Sequence, residues 1–131
     1  MKKFVLFLLV IILSSCGSET PSELTERFLT AMQDKDAKEV VSVFTNGYSS
    51  EEKKTEDFKR LEADWINTFE EEFEQLDEKG EIVSFTIVKE TIAEDSKSAS
   101  VKFVVIYEND AEVSEFSFKR TDDDDEWRMG L

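Results

Sequence analysis

The sequence predicts one domain of the α+β class, in which three helices precede a four-stranded antiparallel sheet. Two observations carry this prediction. Apolar residues recur roughly every 3.6 positions as far as Gly80, and at about every second position after it. The segments after Gly80 are joined by short turns, as in an antiparallel meander, and helices followed by strands indicate an α+β domain.

The first 15 residues have the features of a leader peptide. Lys2 and Lys3 precede an apolar run over residues 4–13, and two serines then lead to Cys16, the only cysteine. The run spans about 15 Å as a helix, half of the hydrocarbon core of a bilayer, and so predicts no permanent transmembrane helix. The stretch "LSSC" resembles the lipobox of bacterial lipoproteins, which implies cleavage before Cys16 and acyl chains on its sulfur and its new amine.

Cleavage at this position divides the chain into a signal peptide at residues 1–15, a lipidated cysteine and short tether at residues 16–20, and a single domain at residues 21–131. The net charge of −15 becomes −17 once Lys2 and Lys3 are removed. Nucleic acid and anionic lipid repel such a domain, so the expected membrane contact is through the acyl chains on Cys16. The lipobox resemblance together with Gly17 favours the outer membrane over the outer face of the cytoplasmic membrane, and both stay open.

Capping residues and apolar spacing predict the three helices. Thr20, Pro21 and Glu23 indicate the start of the first, and Asp36 the start of the second, which ends at residues 46–47. The third is predicted from about residue 50 to residue 79. Its apolar residues share one face of the helix, which is expected to cover the sheet: Phe58, Leu61, Trp65, Ile66, Phe69, Phe73 and Leu76.

Four strands are predicted at residues 81–93, 98–108, 111–120 and 126–131. Alternation turns one set of side chains toward the long helix: Val83, Phe85, Ile87, Val101, Phe103, Val105, Tyr107, Phe116, Phe118, Trp127, Met129 and Leu131. The outer face is expected to carry an apolar stripe formed by Ile82, Val88, Ile92, Val104 and Ile106. A stripe of this kind indicates an interface, and a homodimer through the outer sheet face is expected.

The element order, with "ELTERFLTAMQDKDAKEVVSVF" near the start and "DDDDEWRMGL" at the end, resembles small bacterial lipoproteins of unknown function that carry a nuclear transport factor 2-like (cystatin-like) α+β cone. The likeness spans roughly residues 21–131. It implies a curved sheet wrapped around the long helix, sometimes with a pocket, and often homodimers. Fold alone does not establish function.

The candidate pocket residues are Glu62, Trp65 and Tyr107. The chain contains no histidine, which excludes a histidine base and a histidine–zinc site. Enzymes with this fold imply an inward carboxylate and a tyrosine, for which Glu62 and Tyr107 are the candidates, with Glu72 as a weaker one. The alternative is that Glu62 reaches water and Tyr107 only packs. The acidic residues 122–126 lack the spacing of a calcium loop, so neither metal nor cofactor is predicted.

These observations favour a lipid-anchored domain of the bacterial cell envelope that has a binding or accessory role without catalysis. Its ligand is either a small molecule or another envelope protein. Two alternatives stay open. One is a pocket enzyme with Glu62 as base and Tyr107 as hydrogen-bond donor, and the other is a structural module that dimerises.

Overall fold

The structure, a computed structural model, describes residues 19–75, 79–120 and 126–130. Within these residues four helices precede four strands: α1 Pro21–Gln33, α2 Ala37–Phe44, α3 Ser50–Lys53, α4 Glu56–Gln75, β1 Ile82–Ile92, β2 Ser98–Tyr107, β3 Ala111–Lys119 and β4 Arg128–Gly130. The predicted α+β class and antiparallel meander are therefore confirmed. The leader with Cys16, the acidic turn at residues 122–125, Leu76 and Leu131 lie outside the described residues.

Side-chain caps determine where the first two helices begin. The Thr20 hydroxyl accepts a hydrogen bond from the Glu23 N–H at 3.1 Å, and the Glu23 carboxylate accepts one from the Thr20 N–H at 3.0 Å. This is the predicted capping box, which satisfies two N–H groups that have no partner inside the helix. Asp36 accepts from the Glu39 N–H at 3.2 Å and begins α2 in a similar way.

The predicted third helix is interrupted close to its start, so that three predicted helices become four. The Thr55 hydroxyl donates to the Glu52 carbonyl at 2.8 Å and accepts from the Phe58 N–H at 3.2 Å. Threonine side chains compete in this way with helical backbone bonds, and they are good N-caps. The chain therefore begins a new helix at Glu56, and the long helix α4 starts later than the sequence predicts.

The four strands pair in the order β1-β2-β3-β4, each antiparallel to its neighbour. Two irregularities interrupt the pairing of β1 with β2, one between Ile82 and Ser84 and one between Ile87 and Lys89. At a β-bulge an extra residue enters one strand, and the alternation of its side chains changes phase. The inside and outside of β1 therefore differ from a strict alternation.

This change of phase corrects three face assignments. Ile82 was predicted to face outward but is buried in the core, whereas Val83 was predicted to face inward and is 57% exposed. Ile92 was placed on the outer face, yet its register partner is the buried Ala99, so it lies on the helix-facing side. A shift of one residue moves every following side chain to the opposite face.

The helix that covers the sheet is α1, which corrects the expectation that the sheet faces the long helix. The Gln33 side chain donates to the Ile82 carbonyl at 3.2 Å, and the Ser22 N–H donates to the Glu90 carboxylate at 3.0 Å. Buried residues of α1 occupy an arc of roughly 160°, wide enough to contact the sheet on one side and other helices on the other. The long helix has fewer buried side chains and packs mainly on α2.

The core lies between α1, α2 and the inner face of the sheet, and the end of α4 closes it. Its buried members are Leu24, Phe28, Leu29, Ala31, Ala37, Val40, Val43, Phe73, Ile82, Ala99, Val101, Phe103, Val105, Phe118, Trp127 and Met129. Most of the strand residues in this set were predicted to face inward. On the outer face, Val104 lies opposite Val113, which is 65% exposed, and Ile106 lies opposite Ala111.

Candidate functional site

A cavity of about 180 Å³ lies between α1 and the helix-facing side of the sheet. Most of its wall is apolar or aromatic, and three lining residues carry polar groups. The lining residues are Phe28, Leu29, Met32, Ile82, Phe103, Val105, Tyr107, Glu112, Ser114 and Phe116. An apolar pocket with a few convergent polar groups is the usual form of a small-molecule site.

The antiparallel register brings these residues together. Phe103, Val105 and Tyr107 alternate along β2, and Glu112 and Ser114 on β3 lie opposite Val105 and Phe103. Side chains of residues that are directly opposite each other in an antiparallel pair lie on the same face. Two polar residues of β3 are thereby placed on the inner face of the sheet.

Aromatic rings form part of the cavity wall. The Phe116 ring lies 4.6 Å from the Phe103 ring and 5.0 Å from the Phe28 ring, centroid to centroid, and it meets Phe28 edge-on. Such edge-to-face contacts are favourable because the positive ring edge faces the negative ring face. Phe28 in turn contacts Phe44 at 5.4 Å, which links the cavity wall to α2. Contacts among several aromatic rings therefore stabilise this wall of the cavity.

The polar end of the cavity carries an ion pair beside a tyrosine. The Lys79 ammonium bonds the Glu112 carboxylate, and its nitrogen is 5.6 Å from the centroid of the Tyr107 ring. The Lys79 and Glu112 side chains are 43% and 40% exposed, so the pair lies where the cavity meets solvent. The Lys79 carbonyl also accepts a hydrogen bond from the Asn109 N–H at 2.9 Å, which fixes the backbone behind the ammonium.

The charge states at this end follow from its contacts. The hydrogen bond to Glu112 raises the pKa of Lys79. Burial raises the pKa of Tyr107, and the nearby charge of Glu112 raises it further. At neutral pH the Tyr107 side chain is therefore a neutral phenol, and the Lys79 side chain is an ammonium ion. The phenol can donate or accept a hydrogen bond to a bound molecule.

The structure separates the candidate pocket residues of the sequence. Tyr107 lines the cavity. Glu62 and Trp65 lie on α4 and are not among the lining residues, and the Trp65 ring packs on the Phe44 ring at 5.9 Å. The reason is the position of α4, which packs on α2 and not on the sheet. Glu72 on the same helix is exposed.

The carboxylate beside Tyr107 is Glu112, which the sequence analysis missed. The sequence nevertheless contains a pattern that places Glu112 on the inner face of the sheet. The predicted turn at residues 109–110 brings the start of β3 beside the end of β2, and alternation back from Phe116 places Ser114 and Glu112 on the inner face. The sequence favours carboxylates of the long helix as pocket residues only if that helix covers the sheet, and in the structure α1 covers it.

A second cluster fixes the start of the domain. The Arg27 guanidinium bonds the Glu19 carboxylate and also donates to Glu39, at 2.8 Å from one terminal nitrogen and 3.1 Å from Nε. The groove around it has a volume of about 380 Å³, and its other ionisable lining residues are all acidic. Burial raises the pKa of Glu26 in this groove, and the charge of Glu23 raises it further. Arg27 thus ties residue 19 to both α1 and α2.

Two arginines at the opposite end pack on aromatic rings. The Arg120 guanidinium lies 4.3 Å from the Trp127 ring centroid, and that of Arg128 lies 4.6 Å from the Tyr48 ring centroid. Arg128 also donates to the Gly47 carbonyl at 3.0 Å. These side chains line a surface cleft of about 420 Å³. Their cation–π and backbone contacts are enough to explain them as packing groups that join β4 to the rest of the domain.

Across residues 19–75, 79–120 and 126–130, none of the helices has the length and hydropathy needed to cross a bilayer. In the same part of the chain, no group of three or more acidic, histidine or cysteine side chains is arranged to hold a metal ion.

Two solved bacterial structures share this fold. A candidate NTF2-like transpeptidase from Campylobacter jejuni is 21% identical in sequence and has a TM-score of 0.60, over 86% of this chain and 99% of that one. A SEC-C motif-containing protein from Rhodopseudomonas palustris is 12% identical, with a TM-score of 0.52 over 91% of this chain and 82% of that one. No protein-family model and no curated protein matches the sequence. At these identities the likeness shows the fold alone, which is nuclear transport factor 2-like.

Proposed function

We propose that this chain is a lipid-anchored domain of the bacterial cell envelope that binds a small molecule without catalysing its conversion. The observation that carries the binding role is the cavity between α1 and the sheet, whose aromatic wall ends at Tyr107, Glu112 and Ser114. An NTF2-like fold is compatible with a ligand-binding or accessory domain. The lipid anchor is supported by the lipobox-like stretch that ends at Cys16.

The volume of the cavity limits the size of the ligand that it can enclose. Pockets for drug-sized molecules usually measure roughly 300–1,000 Å³, whereas an apolar cavity of about 150 Å³ is enough to bind benzene. At about 180 Å³ the cavity accepts one ring, or a branched chain of similar size, with one polar group. The phenol of Tyr107 and the hydroxyl of Ser114 can orient that polar group.

The same geometry supports binding more than catalysis. The predicted enzyme needed Glu62 as a base beside Tyr107, and Glu62 lies on a helix that does not line the cavity. The carboxylate that does lie there, Glu112, is engaged by Lys79. Acyl transfer of the kind named for the Campylobacter jejuni protein needs a nucleophile next to a base. Ser114 is the serine hydroxyl that lines the cavity, and the contacts of the described residues give it no hydrogen bond to a base.

The tether supports a position close to the membrane. Between Cys16 and Glu19 there are three peptide steps, which reach about 10 Å when fully extended. Arg27 holds Glu19 against α1 and α2, so no longer free segment follows the anchor. Each buried methylene of an acyl chain contributes about 0.8 kcal/mol, and two or three chains hold a protein stably. The outer membrane is the favoured location because glycine follows Cys16.

The binding role is tested with the mature lipidated chain in phosphatidylcholine nanodiscs. Backbone amide resonances are followed by NMR during a titration with benzyl alcohol, which has one ring and one hydroxyl group. We expect saturable shifts of the amides of Phe103, Val105 and Tyr107. The Ser114→Leu variant fills the cavity and should lose these shifts, whereas Glu115→Leu, on the outer face of the same strand, should keep them. Absence of shifts at the cavity in the wild type would refute small-molecule binding.

The anchor is tested separately in the producing cells. A fatty-acid probe should label the wild-type chain, and a Cys16→Ala variant should take up no label. Intact-mass measurement should show a chain that begins at Cys16 and carries acyl groups. Equal labelling of the two chains, or an unprocessed chain with a free thiol, would contradict the proposed anchor and leave the binding role unaffected.

A further inference from the structure

A cation of the protein itself, the Lys79 ammonium, lies beside the polar end of the cavity. The Lys79 ammonium bonds Glu112 and lies within cation–π range of the Tyr107 ring. Glu112 lines the cavity, whereas Lys79 is not among the lining residues and approaches from the solvent side. A molecule inside the cavity therefore faces the carboxylate, with the aromatic wall behind it.

We propose that the cavity selects small primary amines with an aromatic or branched aliphatic body, whose ammonium group takes the place of Lys79 on Glu112. This inference rests on the proposed small-molecule binding and names the class of ligand. The body of the amine lies against Phe28, Phe103 and Phe116, and its ammonium group reaches Glu112 and Ser114 at the open end.

The donor and acceptor groups at this end match an ammonium ion. A primary ammonium carries three N–H donors and no acceptor. The Glu112 carboxylate accepts one or two of these bonds, and the Ser114 hydroxyl, two residues along the same face of β3, accepts another. The face of the Tyr107 ring is already used by the Lys79 ammonium, which shows that the ring is turned suitably for a cation.

An anionic ligand does not match this arrangement. Its charge would lie beside the Glu112 carboxylate, and the repulsion between the two like charges disfavours binding. The raised pKa of Tyr107 keeps the phenol proton in place but adds no positive charge. The charge of the whole chain, −15, also attracts cations and repels anions at a distance.

Exchange of Lys79 for a ligand is compatible with its exposure. The Lys79 side chain is 43% exposed and can turn into water, and ion pairs exposed to this extent contribute little to stability. The body of the ligand adds contacts with the phenylalanine rings of the cavity wall, and Lys79 is not among the residues that line this wall. The gain in binding therefore comes from the apolar body of the ligand, and the carboxylate selects its charge.

Three probes of similar size separate charge from shape: benzylamine, benzyl alcohol and benzoate. Each is titrated into the mature lipidated chain in phosphatidylcholine nanodiscs, whose zwitterionic lipid limits adsorption of the charged probes. Amide NMR shifts of cavity residues report the dissociation constants. We expect benzylamine to bind at least tenfold more tightly than benzyl alcohol, and benzoate not to bind.

Variants then assign the selectivity to Glu112. Glu112→Gln keeps the size of the side chain and should bring benzylamine to the affinity of benzyl alcohol. Glu115→Gln makes the same change on the outer face of β3 and should leave the tenfold preference intact. Lys79→Met removes the competing ammonium and should tighten benzylamine binding several-fold. Thermal unfolding curves of each variant check that the domain is folded.

The outcomes test the selection of amines separately from the proposed small-molecule binding. Equal affinities for benzylamine and benzyl alcohol would overturn the selection of amines and leave small-molecule binding in place. Tightest binding of benzoate, lost in Lys79→Met, would overturn it in favour of anion recognition. Failure of all three probes to shift cavity resonances would overturn both proposals together.

Discussion

Two neighbouring apolar residues at the start of β1 should respond very differently to truncation. Ile82 is 8% exposed and belongs to the core, whereas Val83 is 57% exposed. Strict alternation in the sequence predicts the reverse, because it places Val83 inside and Ile82 outside. The pair of variants Ile82→Ala and Val83→Ala therefore tests the irregularity in β1 directly.

The expected magnitudes follow from burial. Ile82→Ala removes three buried carbon atoms, which at about 0.8 kcal/mol each gives roughly 2.4 kcal/mol before any cavity term. Large-to-small core changes of this type cost about 2–5 kcal/mol, and the existing cavity beside Ile82 favours the lower end. Val83→Ala removes two carbons that are less than half buried, which gives at most about 0.7 kcal/mol.

Urea unfolding measures both changes. The fluorescence of Trp127, which is 4% exposed, reports the loss of the core, and far-UV circular dichroism reports the loss of secondary structure. We expect the free energy of unfolding to fall by about 2–3 kcal/mol for Ile82→Ala, with a decrease in Tm on the order of 10 °C. Equal losses for the two variants, or a larger loss for Val83→Ala, would refute the bulged register.

Three further predictions concern a cap, a titrating group and the outer sheet face. Thr20→Ala should lower the free energy of unfolding by about 1 kcal/mol in urea titrations, because it removes half of the capping box, and Thr30→Ala on the exposed side of α1 should change it far less. Tyr107 has a raised pKa in the folded state, so its contribution to stability is complete below about pH 10 and is lost at higher pH. Urea titrations across alkaline pH should show a smaller loss of the free energy of unfolding for Tyr107→Phe than for the wild type. The same pH dependence in both proteins would count against a partly buried phenol. The predicted homodimer should be seen by light scattering after size-exclusion chromatography, and Val113→Lys should make it monomeric. A wild type that stays monomeric at high concentration would remove the dimer interface.

Local features of the structure could be predicted from the sequence because they depend on residues close together in the chain. The capping box of Thr20 and Glu23 joins residues three positions apart, and it forms as predicted. The strand limits and the turn at residues 109–110 follow from alternation and turn residues, and they agree with the structure to within one or two residues. The break at Thr55 is also local, but a continuous apolar stripe concealed it.

The candidate site could be predicted only in part. Tyr107 was identified because alternation along β2 is regular, and it lines the cavity. The prediction of Glu62 and Trp65 as pocket residues depends on the long helix covering the sheet, which it does not do. Either of two amphipathic helices can cover a sheet, and the arrangement that buries more apolar surface is favoured. The total buried surface depends on the whole chain and cannot be derived from a short stretch of sequence.

The sequence by itself determined the class of fold, the order of helices and strands, and the lipobox-like stretch at Cys16. Each of these depends on residue types and their spacing within short segments of the chain. Tertiary structure alone decided that α1 lies on the sheet, that Ile82 is inside and Val83 outside, and that Glu112 meets Lys79 and Tyr107. The physical reason is distance along the chain. Caps and turns are made by near neighbours, whereas the cavity is made by α1, β1, β2 and β3 together, whose relative positions follow from packing of the whole core.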